Sequence, residues 1–101
     1  MNRMLLTLLI AGSVAVTGVA QAAGDAAAGK AKATSCAMCH GPTGAGTQMG
    51  TKLAGEDPAK FTQAMSDYKT GKRDNAMMKG QAANLSPDDV ANLAAYYATL
   101  K

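Results

Sequence analysis

The sequence contains no tryptophan, a single phenylalanine and three tyrosines, so aromatic residues make up only 4% of its 101 positions. Alanine and glycine supply much of its 48% hydrophobic content, which leaves few large side chains for a core. Histidine occurs once, at His40, and cysteine twice, at Cys36 and Cys39, all three close together. That poverty excludes a disulfide-stapled mini-protein, a multi-zinc module and a Ser/His/Asp hydrolase with histidines to spare. The formal charge of +3 is too small to argue for nucleic acid as a partner. No segment sustains a period-two alternation of apolar and polar residues, so no sheet is expected. The chain shows no internal repeat, and its length accommodates one small domain, not two.

Residues 1–22 read as an export signal. Arg3 and the terminal amine give a positive start, and an apolar run from Met4 to Val16 follows. Ala20-Gln21-Ala22 is a small-residue cleavage pattern, which places the cut after Ala22 and leaves one domain over residues 23–101. The competing reading is a retained anchor, since a membrane span needs about 20 apolar residues. Gly12, Ser13, Thr17 and Gly18 dilute the run, and no cysteine near the cut offers a lipid anchor. The expectation is therefore a bacterial periplasmic location with no stable membrane insertion.

Beyond the signal, the pattern is all-α. Asp25 is a good N-cap for a first helix running toward Cys36, interrupted by Gly29. Glycine there costs roughly 1 kcal/mol against alanine, which makes sense if another helix crosses closely over it. Pro42, Gly44, Gly46 and Gly50 mark a loop. Asp57-Pro58 opens a second helix with Phe61, Met65 and Tyr68 on one face, and Gly71-Lys72-Arg73 closes it. Residues 74–84 have no clear period. Ser86-Pro87-Asp88-Asp89 then starts the clearest helix, with Val90, Leu93, Ala94 and Tyr97 along one side.

The chemistry lies in Cys36-Ala37-Met38-Cys39-His40. The pattern C-x-x-C-H is the attachment sequence of c-type haem. Two thiols three residues apart can each add to one vinyl group, fixing the porphyrin edge through two thioethers, and the adjacent histidine is then held beside the iron. Rival readings fit less well. A zinc site usually takes four protein ligands, and only three soft ones exist here. A thioredoxin-like redox pair needs a strand-then-helix context that the sequence lacks. A plain disulfide leaves His40 unexplained. Covalent haem also relieves the shortage of core side chains, since a buried porphyrin adds apolar surface at roughly 25 cal/mol per Å². The apo-protein is accordingly expected to be largely unfolded.

The chain resembles the class I c-type cytochromes, in particular the short bacterial members of the c-four and c-five-fifty-three group. Four segments carry the resemblance: Gly24–Lys30 leading into Cys36–Gly41; Leu53-Ala54-Gly55; Tyr68–Arg73 before a methionine-containing stretch; and Leu85–Asp89 leading into Leu93–Tyr97. It implies a cytochrome c fold of three to five helices around one covalently bound haem c. The first and last helices would cross, with Gly29 facing Tyr96 or Tyr97. Such families use a methionine sulfur as the second axial ligand. Met38 lies inside the attachment motif on the wrong side, Met65 lies on the apolar stripe, and Met49 follows His40 closely in the loop. Counting back from Leu85 selects Met78 as distal ligand, with Met77 the second choice. The family's usual proline before Leu53, whose carbonyl receives the histidine's other ring proton, is replaced by Thr51, a change that keeps the carbonyl. Arg73, Tyr68 or Lys72 would serve the haem propionates in place of tryptophan.

The resemblance implies a monomeric periplasmic electron carrier and not an enzyme. Its iron, held by His40 and Met78, would exchange one electron at a time with redox proteins. Those partners would be a quinol-oxidising complex, a terminal oxidase or a periplasmic dehydrogenase, with Lys52, Lys69, Lys72 and Lys79 steering the encounter. Two alternatives stay open: a haem subunit of a periplasmic dehydrogenase complex, such as a sulfide-oxidising flavocytochrome, and a ligand-binding haem protein with an open sixth site.

Overall fold

The computed structural model describes residues 24–100. The export signal expected over residues 1–22 lies outside them. The described residues form α1 (Ala26–Lys32), a 3-10 turn (Ala33–Ser35), α2 (Ala37–His40), α3 (Pro58–Thr70), α4 (Ala76–Ala83) and α5 (Pro87–Thr99). No strand occurs among them, and none of their helices is long and apolar enough to cross a membrane.

Side-chain caps set most of the boundaries. Asp25 Oδ1 accepts from the backbone amides of Ala27 and Ala28, and Asp57 Oδ1 accepts from Ala59 and Lys60. Each satisfies donors that a helix start leaves without partners. At α5 the Ser86 hydroxyl accepts from Asp89 N while the Asp89 carboxylate accepts from Ser86 N, both at 3.0 Å, a reciprocal capping box. Helix α3 stops at Gly71, whose φ of 79° lies in the left-handed region that favours glycine.

Helix α1 lies across α5, the most extensive helix pairing among the described residues. The crossing point is Gly29. A Cβ there would lie 2.0 Å from the Asn92 carbonyl oxygen and 2.8 Å from Tyr96 Cβ. Of the two tyrosines expected opposite Gly29, Tyr96 is the one that meets it. Tyr97 turns the other way, into the core, with its ring centroid 5.8 Å from that of Phe61. Phe61, Met65, Val90, Leu93, Ala94 and Tyr97 are all buried and form one cluster with Ala33, Leu53 and Ala82.

Two local departures from the sequence reading stand out. The first helix ends as α-helix at Lys32, and the chain reaches Cys36 through a 3-10 turn. Residues 76–83, which show no period, form α4. Asn75 caps it, its Oδ1 accepting from Met78 N at 3.1 Å. Of its residues only Ala82 is buried, so α4 carries no apolar stripe for a periodicity search to find.

Candidate functional site

A cavity of about 490 Å³ opens between α2, the loop before α3, and α3 and α4. That is within the range of about 300–1,000 Å³ usual for small-molecule and cofactor sites. The C-x-x-C-H segment forms one wall. Cys36 and Cys39 both line the cavity, and both thiols are free and half-buried. His40 is 8% exposed and ends α2. Phe61, Met65 and Tyr68 of α3, at the spacing seen in the sequence, give the cavity an apolar side.

The histidine is oriented by a single bond. Its Nδ1 lies 2.7 Å from the Thr51 carbonyl oxygen. A carbonyl only accepts, so Nδ1 carries the proton and donates, leaving Nε2 with its lone pair as the nitrogen able to bind a metal. The carbonyl that replaces the family's proline carbonyl is therefore in reach of the ring. Two loop segments lock this arrangement onto the rest of the fold. Leu53 N and Ala54 N donate to the Gly44 carbonyl, and Gly55 N donates to the Tyr97 carbonyl at 2.8 Å.

Helix α4 brings Met77 and Met78 to the same cavity. Met78 is partly buried and packs against the core, whereas Met77 is 68% exposed. Met49 lines the cavity from the loop but is 73% exposed, and Met38 at 82% exposed does not line it. Met65 is buried at 5%, as a stripe residue should be. Arg73 and Tyr68 stand together on the wall: Arg73 Nη1 donates to Tyr68 Oη at 3.4 Å, and the guanidinium carbon lies 5.5 Å from the ring centroid. Burial pushes the Tyr97 phenol well above its ordinary range. That phenol stays neutral through the physiological range.

Among the lysines expected near the rim, only Lys52 lines the cavity. Lys69 is committed elsewhere, its Nζ donating to the Leu85 carbonyl at 2.5 Å. Two residues that matter to the geometry were not singled out in the sequence, Thr47 and Asn75. Asn75 was readable as a helix cap ahead of Ala76-Met77-Met78, whereas nothing in the sequence marks Thr47.

This donor set suits a covalently held haem: two free thiols and a buried imidazole with a free Nε2 on one wall, an apolar side, and methionine sulfur from α4. Among the described residues, no three His, Cys, Asp or Glu side chains converge as they would to hold a metal ion by themselves. Comparison with known proteins agrees. The family model described as "Cytochrome C oxidase, cbb3-type, subunit III" matches residues 22–96. The chain is 45% identical over 102 residues to cytochrome c4 of Pseudomonas aeruginosa, a match covering 100% of this chain and 50% of that protein.

The chain belongs to the small class I c-type cytochromes.

This cytochrome spans about half the length of the cytochrome c4 proteins it matches. Its likeness to cytochrome c-554(547) of Halothiobacillus neapolitanus is 42% over 91 residues, covering 78% of this chain and 100% of that one. The crystal structure of reduced cytochrome c4 from Pseudomonas stutzeri superposes with a TM-score of 0.68 at 29% identity, over 75% of this chain and 48% of that one. The all-α architecture is thus the cytochrome c fold, and the cofactor of this cytochrome is covalently bound haem c.

Proposed function

We propose that the chain is a periplasmic electron carrier and not an enzyme, with Cys36 and Cys39 as the haem thioethers, His40 as proximal iron ligand and Met78 as distal ligand. The observation that carries the reading is the convergence of Cys36, Cys39, His40 and Met78 on one cavity, with His40 Nδ1 engaged by a carbonyl and Nε2 left free. Bound haem c supplies a one-electron ferric/ferrous couple whose potential neutral thioether ligation raises. The protein's part is to position and to shield. The two sulfurs, Cys39 on α2 and Cys36 at its N-cap, would fix the porphyrin edge there. The Thr51 carbonyl fixes the imidazole plane. Met78 is favoured over Met77 by its partial burial against the core. Phe61, Met65 and Leu93 line the site and exclude water. Arg73, held by Tyr68, offers a cation to the acidic edge of the porphyrin. With both His40 and Met78 holding the iron, the bound group would supply electron exchange and offer no site for oxygen or a substrate.

Lys52 at the cavity gives redox partners of opposite charge a place to approach, whether a quinol-oxidising complex, a terminal oxidase or a periplasmic dehydrogenase. The proposed export after Ala22 puts the domain in the compartment where haem attachment takes place.

The test is spectroscopic. Mass spectrometry of the exported chain should show one covalently added haem. The ferric protein should show the weak red-region band that methionine-to-iron ligation gives. Met78→Ala should abolish that band and let carbon monoxide bind the ferrous form readily, while Met77→Ala should keep the band. Ready carbon monoxide binding by the unaltered protein would instead mean an open sixth site.

A further inference from the structure

His40 ends α2, and the carbonyls at that end need partners. The following loop supplies them. Gly41 N donates to the Ala37 carbonyl at 3.0 Å and Gly46 N to the His40 carbonyl at 2.9 Å. The Cys39 carbonyl is met by a side chain, the Thr47 hydroxyl. The same hydroxyl oxygen accepts from Met49 N at 3.0 Å, and Thr47 N donates to the Gly50 carbonyl at 2.8 Å, closing a tight turn over residues 47–50. The residue that leaves this turn is Thr51, whose carbonyl receives the His40 Nδ1 proton.

Gly50 makes the approach possible. A Cβ there would lie 2.8 Å from His40 Nδ1 and 2.7 Å from the Cys39 carbonyl oxygen, so the backbone passes flush against the ring. The requirement is one of space, since its φ is not in the left-handed region. The turn is thus pinned on one side to the backbone of the C-x-x-C-H helix and presents on its other side the carbonyl that orients the histidine. Between His40 and Thr51, Thr47 provides the one side chain other than His40 itself that hydrogen bonds within the described structure.

We propose that Thr47 and Gly50 are positioning residues: together they hold the Thr51 carbonyl on His40 Nδ1 and so set how strongly the imidazole donates to the iron. The inference rests on the reading of His40 as the proximal ligand. A hydrogen bond from the far ring nitrogen fixes the ring and raises its basicity. A more basic axial donor favours the ferric state, so the staple holds the reduction potential down. A side chain that merely completed a turn would add stability and leave both the ring proton and the potential alone.

The experiment compares the haem-loaded wild-type protein with Thr47→Val, Thr47→Ser and Gly50→Ala. Nuclear magnetic resonance of the ferrous form follows solvent exchange of the His40 Nδ1 proton, and voltammetry gives the potential. In Thr47→Val, which keeps the shape and removes the hydroxyl, exchange should be roughly tenfold faster, the scale set by one lost hydrogen bond. The potential should rise. Gly50→Ala should shift both quantities in the same directions by pushing the turn off the ring, and Thr47→Ser should return both to wild-type values. Lower stability in Thr47→Val and Gly50→Ala, with exchange and potential both unmoved, overturns the inference and leaves the His40 assignment standing. Absence of His40 ring signals shifted by the porphyrin ring current in the ferrous wild-type protein overturns both.

Discussion

Met65 touches both the core and the cavity, which makes it the methionine easiest to mistake for a ligand. Its burial at 5% and its place beside Phe61 on α3 assign it to packing. Met65→Ala should therefore cost about 2–5 kcal/mol in denaturant unfolding of the haem-loaded protein, as large-to-small core changes do. Its red-region ferric band should persist; loss of the band with stability intact would make Met65 the ligand. The choice between Met77 and Met78 has a geometric basis as well. Successive residues on a helix point about 100° apart, so the two sulfurs address different directions from the first turn of α4. Asn75 ties that turn at Met78 N, the backbone of the partly buried member of the pair. Around the cysteines, the sequence is legible because the motif is local: five consecutive residues carry the thiols and the imidazole. The Thr47 staple is not legible, because a hydroxyl bonding to a backbone carbonyl eight residues earlier depends on the path of the loop and not on any pattern.

At the scale of elements, local signals and outcome agree where a cap and a stripe coincide. Asp57-Pro58 and Ser86-Pro87 open α3 and α5, and the expected apolar faces are the ones turned inward, with Tyr68 on α3 only partly buried. The α4 helix shows what happens when only the cap is present. Ser86→Ala should remove about 1 kcal/mol from unfolding stability by breaking the capping box. Its partner Asp89 has its carboxyl held below the ordinary value, first by the Ser86 amide, against an opposing effect of desolvation, with smaller help from the Ser86 hydroxyl and Lys32. The native state therefore binds that proton less readily than the unfolded chain does. The associated stabilisation is present above the ordinary carboxylate range and is lost as pH falls through the lowered native value. An acid titration of stability should accordingly be shallower in Asp89→Asn than in the wild type. Gly29 makes an opposite case. Alanine there gains about 1 kcal/mol of helix propensity, yet its Cβ would overlap the Asn92 carbonyl, and overpacking costs about 1–3 kcal/mol. The clash is with backbone, which cannot swing aside, so Gly29→Ala should be a net loss of up to about 2 kcal/mol on thermal unfolding.

Taken as a whole molecule, the helices enclose the cavity as much as they pack on one another. Among the described residues the large side chains of the buried core are few, chiefly Phe61, Met65, Leu93 and Tyr97. Beside them lies a space of about 490 Å³. Because that space opens to water, its apolar lining stays hydrated until a porphyrin covers it, a burial worth roughly 25 cal/mol per Å². The entire stability of a small domain is only about 5–15 kcal/mol. A chain without its haem leaves Phe61, Met65 and Leu93 lining a water-filled cleft, and α3 and α4 lack the apolar surface they would pack on. Too few aromatic side chains are present to close the gap, since Phe61 and Tyr97 already pack on each other and Tyr68 is engaged with Arg73. The shortage that opens the sequence thus has its counterpart in the fold: the porphyrin is the missing part of the core. Exported chain carrying both Cys36→Ala and Cys39→Ala, and freed of any loosely held haem, should give a far-ultraviolet dichroism spectrum with most of its helix lost. Native helical content in that variant would mean that α1 and α5, joined at Gly29, suffice to hold the fold without the cofactor.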